Sequence, residues 1–174
     1  MTVRSGAGIS MAVWAVCAAL LLAGCQREDR QAPLAVAGRL VVFNYRVAKA
    51  SYLVTLRRQG DLPEGSMVET RFENPAGGAP LVTRDKIFAS EHNVVLESPA
   101  LHCVVKGRPY TVDIRVRDAK GKLIQALQTT VTSSEDQSIL PANPLVLGAV
   151  YTKNPEVFKA DGSTDFSPEP DCRG

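Results

Sequence analysis

The chain is poor in the residues that build reactive sites. Of its 174 residues only two are histidine, His92 and His102, and one is tryptophan, Trp14. A metal centre needs several ligands converging on one point. His102 and Cys103 are adjacent, so on a strand their side chains leave on opposite faces and make poor co-ligands. Met67, His92 and His102 are the only set of copper-type donors, and nothing in their spacing brings them together. Charge of one sign is also missing. The sequence holds 20 basic against 18 acidic residues, which argues against nucleic acid as a partner. There is no Gly-x-Ser-x-Gly elbow. Gly77 and Gly78 sit between Pro75 and Pro80 with no lysine and helix after them, so they are a turn and not a phosphate loop. The carboxylates Glu69 and Glu73 qualify as an acid–base pair by type only. Asp161, Ser163 and Asp165 mimic the start of a calcium loop. Phe166 replaces the required glycine, however, and Cys172 stands where the closing glutamate belongs. No catalytic set, metal or cofactor is expected, and the chain reads as a non-enzyme.

Long hydrophobic runs are absent too. The uncharged stretch Ile9–Ala23 is 15 residues, short of the roughly 20 that cross a bilayer. It follows Arg4 and ends on small residues, which is the layout of a secretory signal. The closing residues Leu22-Ala23-Gly24-Cys25 resemble the lipobox of bacterial lipoproteins. The resemblance covers residues 1–25 and implies that 1–24 are cleaved, that Cys25 is acylated, and that it becomes the first residue of the mature protein. Lipoproteins of this kind carry several acyl chains on that cysteine, enough for a stable membrane anchor. Gln26 takes the place where an aspartate often retains such proteins at the inner membrane, which implies the outer membrane, facing the periplasm. Cys17, preceded by Ala15 and Val16, fits the box poorly and leaves with the signal, as does Trp14.

Beyond the anchor remain Cys103 and Cys172. An even pair in an exported protein reads as a disulfide. The alternatives are a buried thiol at Cys103 with a free Cys172, or an intermolecular bond through Cys172. Residues 25–38 read as anchor and flexible tether.

From Arg39 the apolar period becomes two. Val41, Phe43, Tyr45 and Val47 form one face. Ser51–Arg57 and Ser66–Glu73 repeat the pattern, the second with Val68, Thr70 and Phe72 inward and Met67, Glu69, Arg71 and Glu73 outward. Shorter candidates are Leu81–Thr83, Lys86–Ser90, Asn93–Glu97 and Leu101–Lys106. Tyr110–Arg117 alternates most cleanly, and Asp118-Ala119-Lys120-Gly121 turns it back into Lys122–Thr132 as a hairpin. Leu145–Tyr151 adds a last strand, and residues 152–174 read as a weakly ordered acidic tail. About seven short strands without a helical period predict an all-β domain over 39–151, a sandwich or barrel of antiparallel strands. The stretch from Gly107 to Gly121 resembles the late hairpin of immunoglobulin-like and fibronectin-III-like domains. The resemblance implies an immunoglobulin-like β-sandwich in which Tyr110 bonds back to the backbone. The cysteine spacing and the missing tryptophan separate the chain from true antibody-type domains.

Arg39, Arg46, Lys49, Arg57 and Arg58 make the stretch 39–60 basic with no acid. It reads either as a surface for anionic membrane or polymer, or as ordinary outward charge balanced elsewhere. The expected function is a non-catalytic, lipid-anchored envelope protein. It would be held to the membrane through Cys25 and present its sandwich to a protein partner in assembly or secretion. The alternatives are a ligand- or metal-binding envelope lipoprotein and, last, an enzyme whose site assembles from scattered residues.

Overall fold

A computed structural model describes residues 32–168. Cys25, expected to carry the lipid, and Cys172, expected to close the disulfide, lie outside the described residues, as do Cys17 and the signal segment.

The domain is all-β and antiparallel throughout. Strands β1 (Leu34–Asn44), β2 (Lys49–Arg58) and β5 (Asn93–Glu97) form one sheet, in the order β1-β2-β5. Strands β3 (Met67–Phe72), β4 (Leu81–Lys86), β6 (Pro109–Arg117) and β7 (Leu123–Thr132) form a second, in the order β4-β3-β6-β7. A short hairpin, β8 (Val146–Leu147) with β9 (Thr152–Lys153), stands apart from both.

Period-two alternation decides which side chains meet between the sheets. Tyr52, Val54 and Leu56 of β2 are fully buried, as are Val68 and Phe72 of β3 and Tyr110, Val112, Ile114 and Val116 of β6. Each such side chain stabilises the fold by about 1.5–3 kcal/mol. Three rings knit the sheets at the centre. Tyr52 stacks on Phe72 with centroids 5.9 Å apart and tilts against Tyr110 at 5.6 Å.

One flank is closed by a side chain. The β6–β7 register shifts beside Val116, leaving Gln125 opposite it and turned toward β1. The Leu34 amide donates to Gln125 Oε1 at 3.1 Å, and Gln125 Nε2 donates to the Leu34 carbonyl at 2.7 Å. The amide group thus replaces a ladder bond between edge strands β1 and β7, satisfying backbone groups that are buried. Arg39 Nη1 donates to Thr129 Oγ1 along the same flank.

Several boundaries differ from the sequence reading. The tether does not extend to residue 38: Leu34–Gly38 belong to β1, because Leu34 is buried and Gln125 holds its backbone. Tyr45 and Val47 do not continue the β1 face but lie in a 3-10 turn, Tyr45–Val47, closed by Ala48 at φ +49°. Of the two fragments around residues 81–90 only the first is a strand: it extends over Leu81–Lys86, its polar half pairing with β3 at the sheet edge, and residues 87–90 lie beyond it outside any strand. Leu101–Lys106 is not a strand. Only Leu101 bridges, to Ala50, and Cys103 at φ +65° breaks the extended run. Leu145–Tyr151 is not one strand but half of a hairpin. The tail is built into the domain as far as residue 168: Val157 and Asn154 are buried, and Ala142 N–H donates to the Ser167 carbonyl.

Candidate functional site

The hairpin β8–β9 and the 3-10 turn after β1 come together at one end of the domain. The Leu145 amide donates to the Arg46 carbonyl at 2.8 Å, and the Arg46 guanidinium lies 4.8 Å over the Tyr151 ring. Asn154 anchors the base of the hairpin. Its Nδ2 donates to the Pro144 carbonyl at 2.7 Å, its Oδ1 accepts the Glu156 amide, and its own amide donates to the Leu145 carbonyl. This polar framework replaces a hydrophobic core: the side chains it carries face outward.

Tyr45, Val47, Leu147, Val150 and Tyr151 are all exposed there, Val150 at 85% and Tyr151 at 58%. Single apolar residues at a surface are ordinary; a group from two elements meeting at one end of the domain makes this tip the candidate interaction site. The backbone adds a second sign. Tyr151 sits at φ +55° without being glycine, a conformation that costs a bulky side chain about 1–3 kcal/mol and clusters at functional positions. Gly148, at φ +66°, opens the same turn without that cost.

Tyr110, at the start of β6, accepts the Val105 amide on its hydroxyl at 2.8 Å. Tyr52, against which it packs, has no hydrogen-bond partner for its hydroxyl among the described residues. Burial lifts that hydroxyl far above the ordinary phenol range, and neighbouring Tyr110 and Glu73 add to the lift. Cys103 forms a disulfide whose partner lies outside the described residues. His92 and His102 flank opposite ends of β2: the His92 carbonyl accepts the Arg58 amide, while Leu101, next to His102, bonds to Ala50. Met67 lies on the outer face of β3, so the structure does not gather the copper-type donors. Among the described residues no three His, Cys, Asp or Glu side chains are placed to hold a metal.

Glu69 and Glu73 belong to separate ion-pair networks. Arg84 lies 2.8 Å and Arg71 3.2 Å from Glu69, and hydrogen bonds from Arg84 and then Arg71 hold its carboxyl below the usual range. Glu73 accepts Arg108 at 2.8 Å and the Thr111 amide at 2.9 Å. Both carboxylates are engaged in structural pairs and do not face each other as an acid and a base. Asp161 and Asp165 each accept the amide and hydroxyl of the serine two residues on, at Ser163 and Ser167. These are turn-forming bonds, and they hold both carboxyls below the usual range. The basic stretch 39–60 is dispersed: Arg39 reaches Thr129, Arg46 the Tyr151 ring, Lys49 Glu97, and Arg58 the Phe88 and Ala89 carbonyls.

The exposed tip was not legible as a site. Its two parts are a hundred residues apart in sequence, and an apolar residue on a strand pattern reads as core whether or not anything covers it. No protein-family model matches the chain, and no curated protein matches it.

Proposed function

We propose that the protein is a lipid-anchored envelope protein, held through acylated Cys25 at the outer membrane, that presents the 45–47/145–151 tip to a protein partner. The observation that carries this reading is the exposed apolar group around Val150 and Tyr151, on a hairpin braced by Asn154 and strained at Tyr151. The chain enters the domain at Leu34, and the tip lies at the opposite end of β1, about 36 Å away for 11 extended residues. Tyr45, Tyr151 and Arg46, which stacks on Tyr151, are of the residue types enriched at protein-interface hot spots. The architecture is read as an immunoglobulin-like sandwich in which the fourth strand pairs with the third, where constant-type domains pair it with the fifth.

Two experiments test the reading. Acyl-probe labelling and membrane fractionation of Cys25→Ala test the anchor: a variant still labelled and still membrane-bound contradicts it. Quantitative comparison of crosslinked, co-purifying proteins tests the tip. The combination of Val150→Asp and Tyr151→Ser should remove partners that wild type and Val95→Asp both retain. Equal recovery from all three chains would refute the assignment.

A further inference from the structure

The outer face of the four-stranded sheet carries an ordered array of cations that the sequence scatters over fifty residues. Register fixes it. Met67 lies between Lys86 and Arg117, Glu69 between Arg84 and Arg115, and Arg71 between Val82 and Asp113. Because Val68, Thr70 and Phe72 are buried, these residues all point away from the core. Like positions along a strand repeat about every 7 Å, and neighbouring strands lie about 4.8 Å apart. Arg108 extends the array beyond β6, stacked 4.9 Å over the Tyr110 ring and paired with Glu73.

At the middle of this face the acid, Glu69, lies beneath its cations. The Glu69 side chain is 19% exposed, while its partners Arg84 and Arg71 are 70% and 45% exposed. Ion pairing therefore fixes the guanidinium groups without hiding them, and what solvent meets is arginine. Five of the six cations are arginine, whose planar fork binds carboxylate and phosphate in two-point fashion. Among the described residues the Arg115 side chain has no ion-pair or hydrogen-bond partner.

At one end the array runs into a cleft of about 410 Å³, walled by the 74–80 loop and lined by Arg71, Glu73, Asn74, Arg108, Thr111 and Asp113. That volume falls within the range of small-ligand sites. Glu73, Asn74 and Asp113 offer acceptors for hydroxyl groups next to the two arginines. Hydroxyls beside anionic groups are the chemistry of an acidic sugar. A nucleic acid is a poorer fit, since the register places no aromatic ring outward on these strands for base stacking.

We propose that this face binds an anionic polysaccharide, with acidic groups on the forks of Arg71, Arg84, Arg108 and Arg115 and one sugar residue seated in the cleft. The site is separate from the tip and does not depend on it.

The test uses the full chain and polygalacturonate as probe, with neutral dextran and single-stranded oligo(dT) as comparisons, in a binding titration at increasing salt. Polygalacturonate should bind, and its affinity should fall at least tenfold between about 50 and 200 mM salt as counterion release requires. Arg115→Ala and Arg84→Gln should each weaken binding by about threefold or more. Thermal unfolding of each variant, matched to wild type, separates lost contacts from lost fold. Val150→Asp should bind as wild type, which keeps the two proposals distinguishable. Absence of polygalacturonate binding, equal binding of dextran, tighter binding of oligo(dT), or arginine variants that bind like wild type would each overturn the proposal.

Discussion

Between β2 and the turn at residues 148–151 the same residue types meet opposite surroundings. Tyr52, Val54 and Leu56 are sealed between two sheets. Val150 and Tyr151 stand in solvent on a hairpin whose order comes from Asn154 and the Arg46 carbonyl. The sandwich is held by apolar area and tolerates few changes there. The hairpin is held by directed polar bonds, which leaves its apolar side chains free for another surface. The hairpin also carries Tyr151 at φ +55°, a backbone that favours glycine and that Ala48 and Cys103 adopt elsewhere in the domain.

Removing core volume should separate the regions most strongly. Phe72→Ala should destabilise the domain by about 3–5 kcal/mol in denaturant titrations, whereas Val150→Ala should leave the midpoint unchanged within about 0.5 kcal/mol. Equal losses would mean that the hairpin is part of the core. Gln125→Ala should cost about 1–3 kcal/mol by orphaning buried Leu34 backbone groups, with faster hydrogen exchange at Leu34 as its local signature. Unchanged exchange there would show that the β1–β7 flank closes without it.

The two stacked tyrosines offer a finer contrast. Tyr110→Phe removes the hydroxyl that accepts the Val105 amide and should cost about 1 kcal/mol. Tyr52→Phe removes a buried hydroxyl with no partner among the described residues and should be neutral or stabilising. A loss at position 52 equal to that at 110 would reveal a partner for that hydroxyl. The smallest effect is expected in acid. Hydrogen bonds from Arg84 and Arg71 hold Glu69 low, and those from Lys49 and Ser51 hold Glu97 low. Both carboxyls titrate below their unfolded value near 4.3. Their contribution is therefore complete above that pH and is lost as pH falls through the lower folded value. These pairs are solvent-screened, so the loss should stay under about 1 kcal/mol. It should shrink further in the double variant of Glu69→Gln and Glu97→Gln.

The alternation of β2, β3, β6 and β7 could be read directly because burial on one face writes itself into period two. The polar end of β4 could not, since Arg84, Asp85 and Lys86 sit on an edge strand whose alternation carries no apolar signal. Leu34–Gly38 reads as linker because the bonds that order it are tertiary: the ladder to Thr55–Arg58 of β2 and the side chain of Gln125, ninety-one residues from Leu34. Tyr45 and Val47 kept the strand rhythm past the point where the chain turns. Burial and exposure look the same in one dimension, which hid the tip. The arginine array stayed hidden for a related reason: Arg84, Arg71 and Arg115 become neighbours only through strand register.

The central claim is that the surface which meets a protein partner is the tip and not the sandwich that carries it. Site-specific photo-crosslinking in living cells tests it most directly, with the crosslinker at position 150 and, as control, at Val95 on the exposed face of β5. A discrete protein adduct at 150 that is absent at 95 and disappears when Tyr151 is replaced by serine is the predicted result. Adducts at 95 alone, or at neither position while the partner is still recovered with the domain, would contradict it.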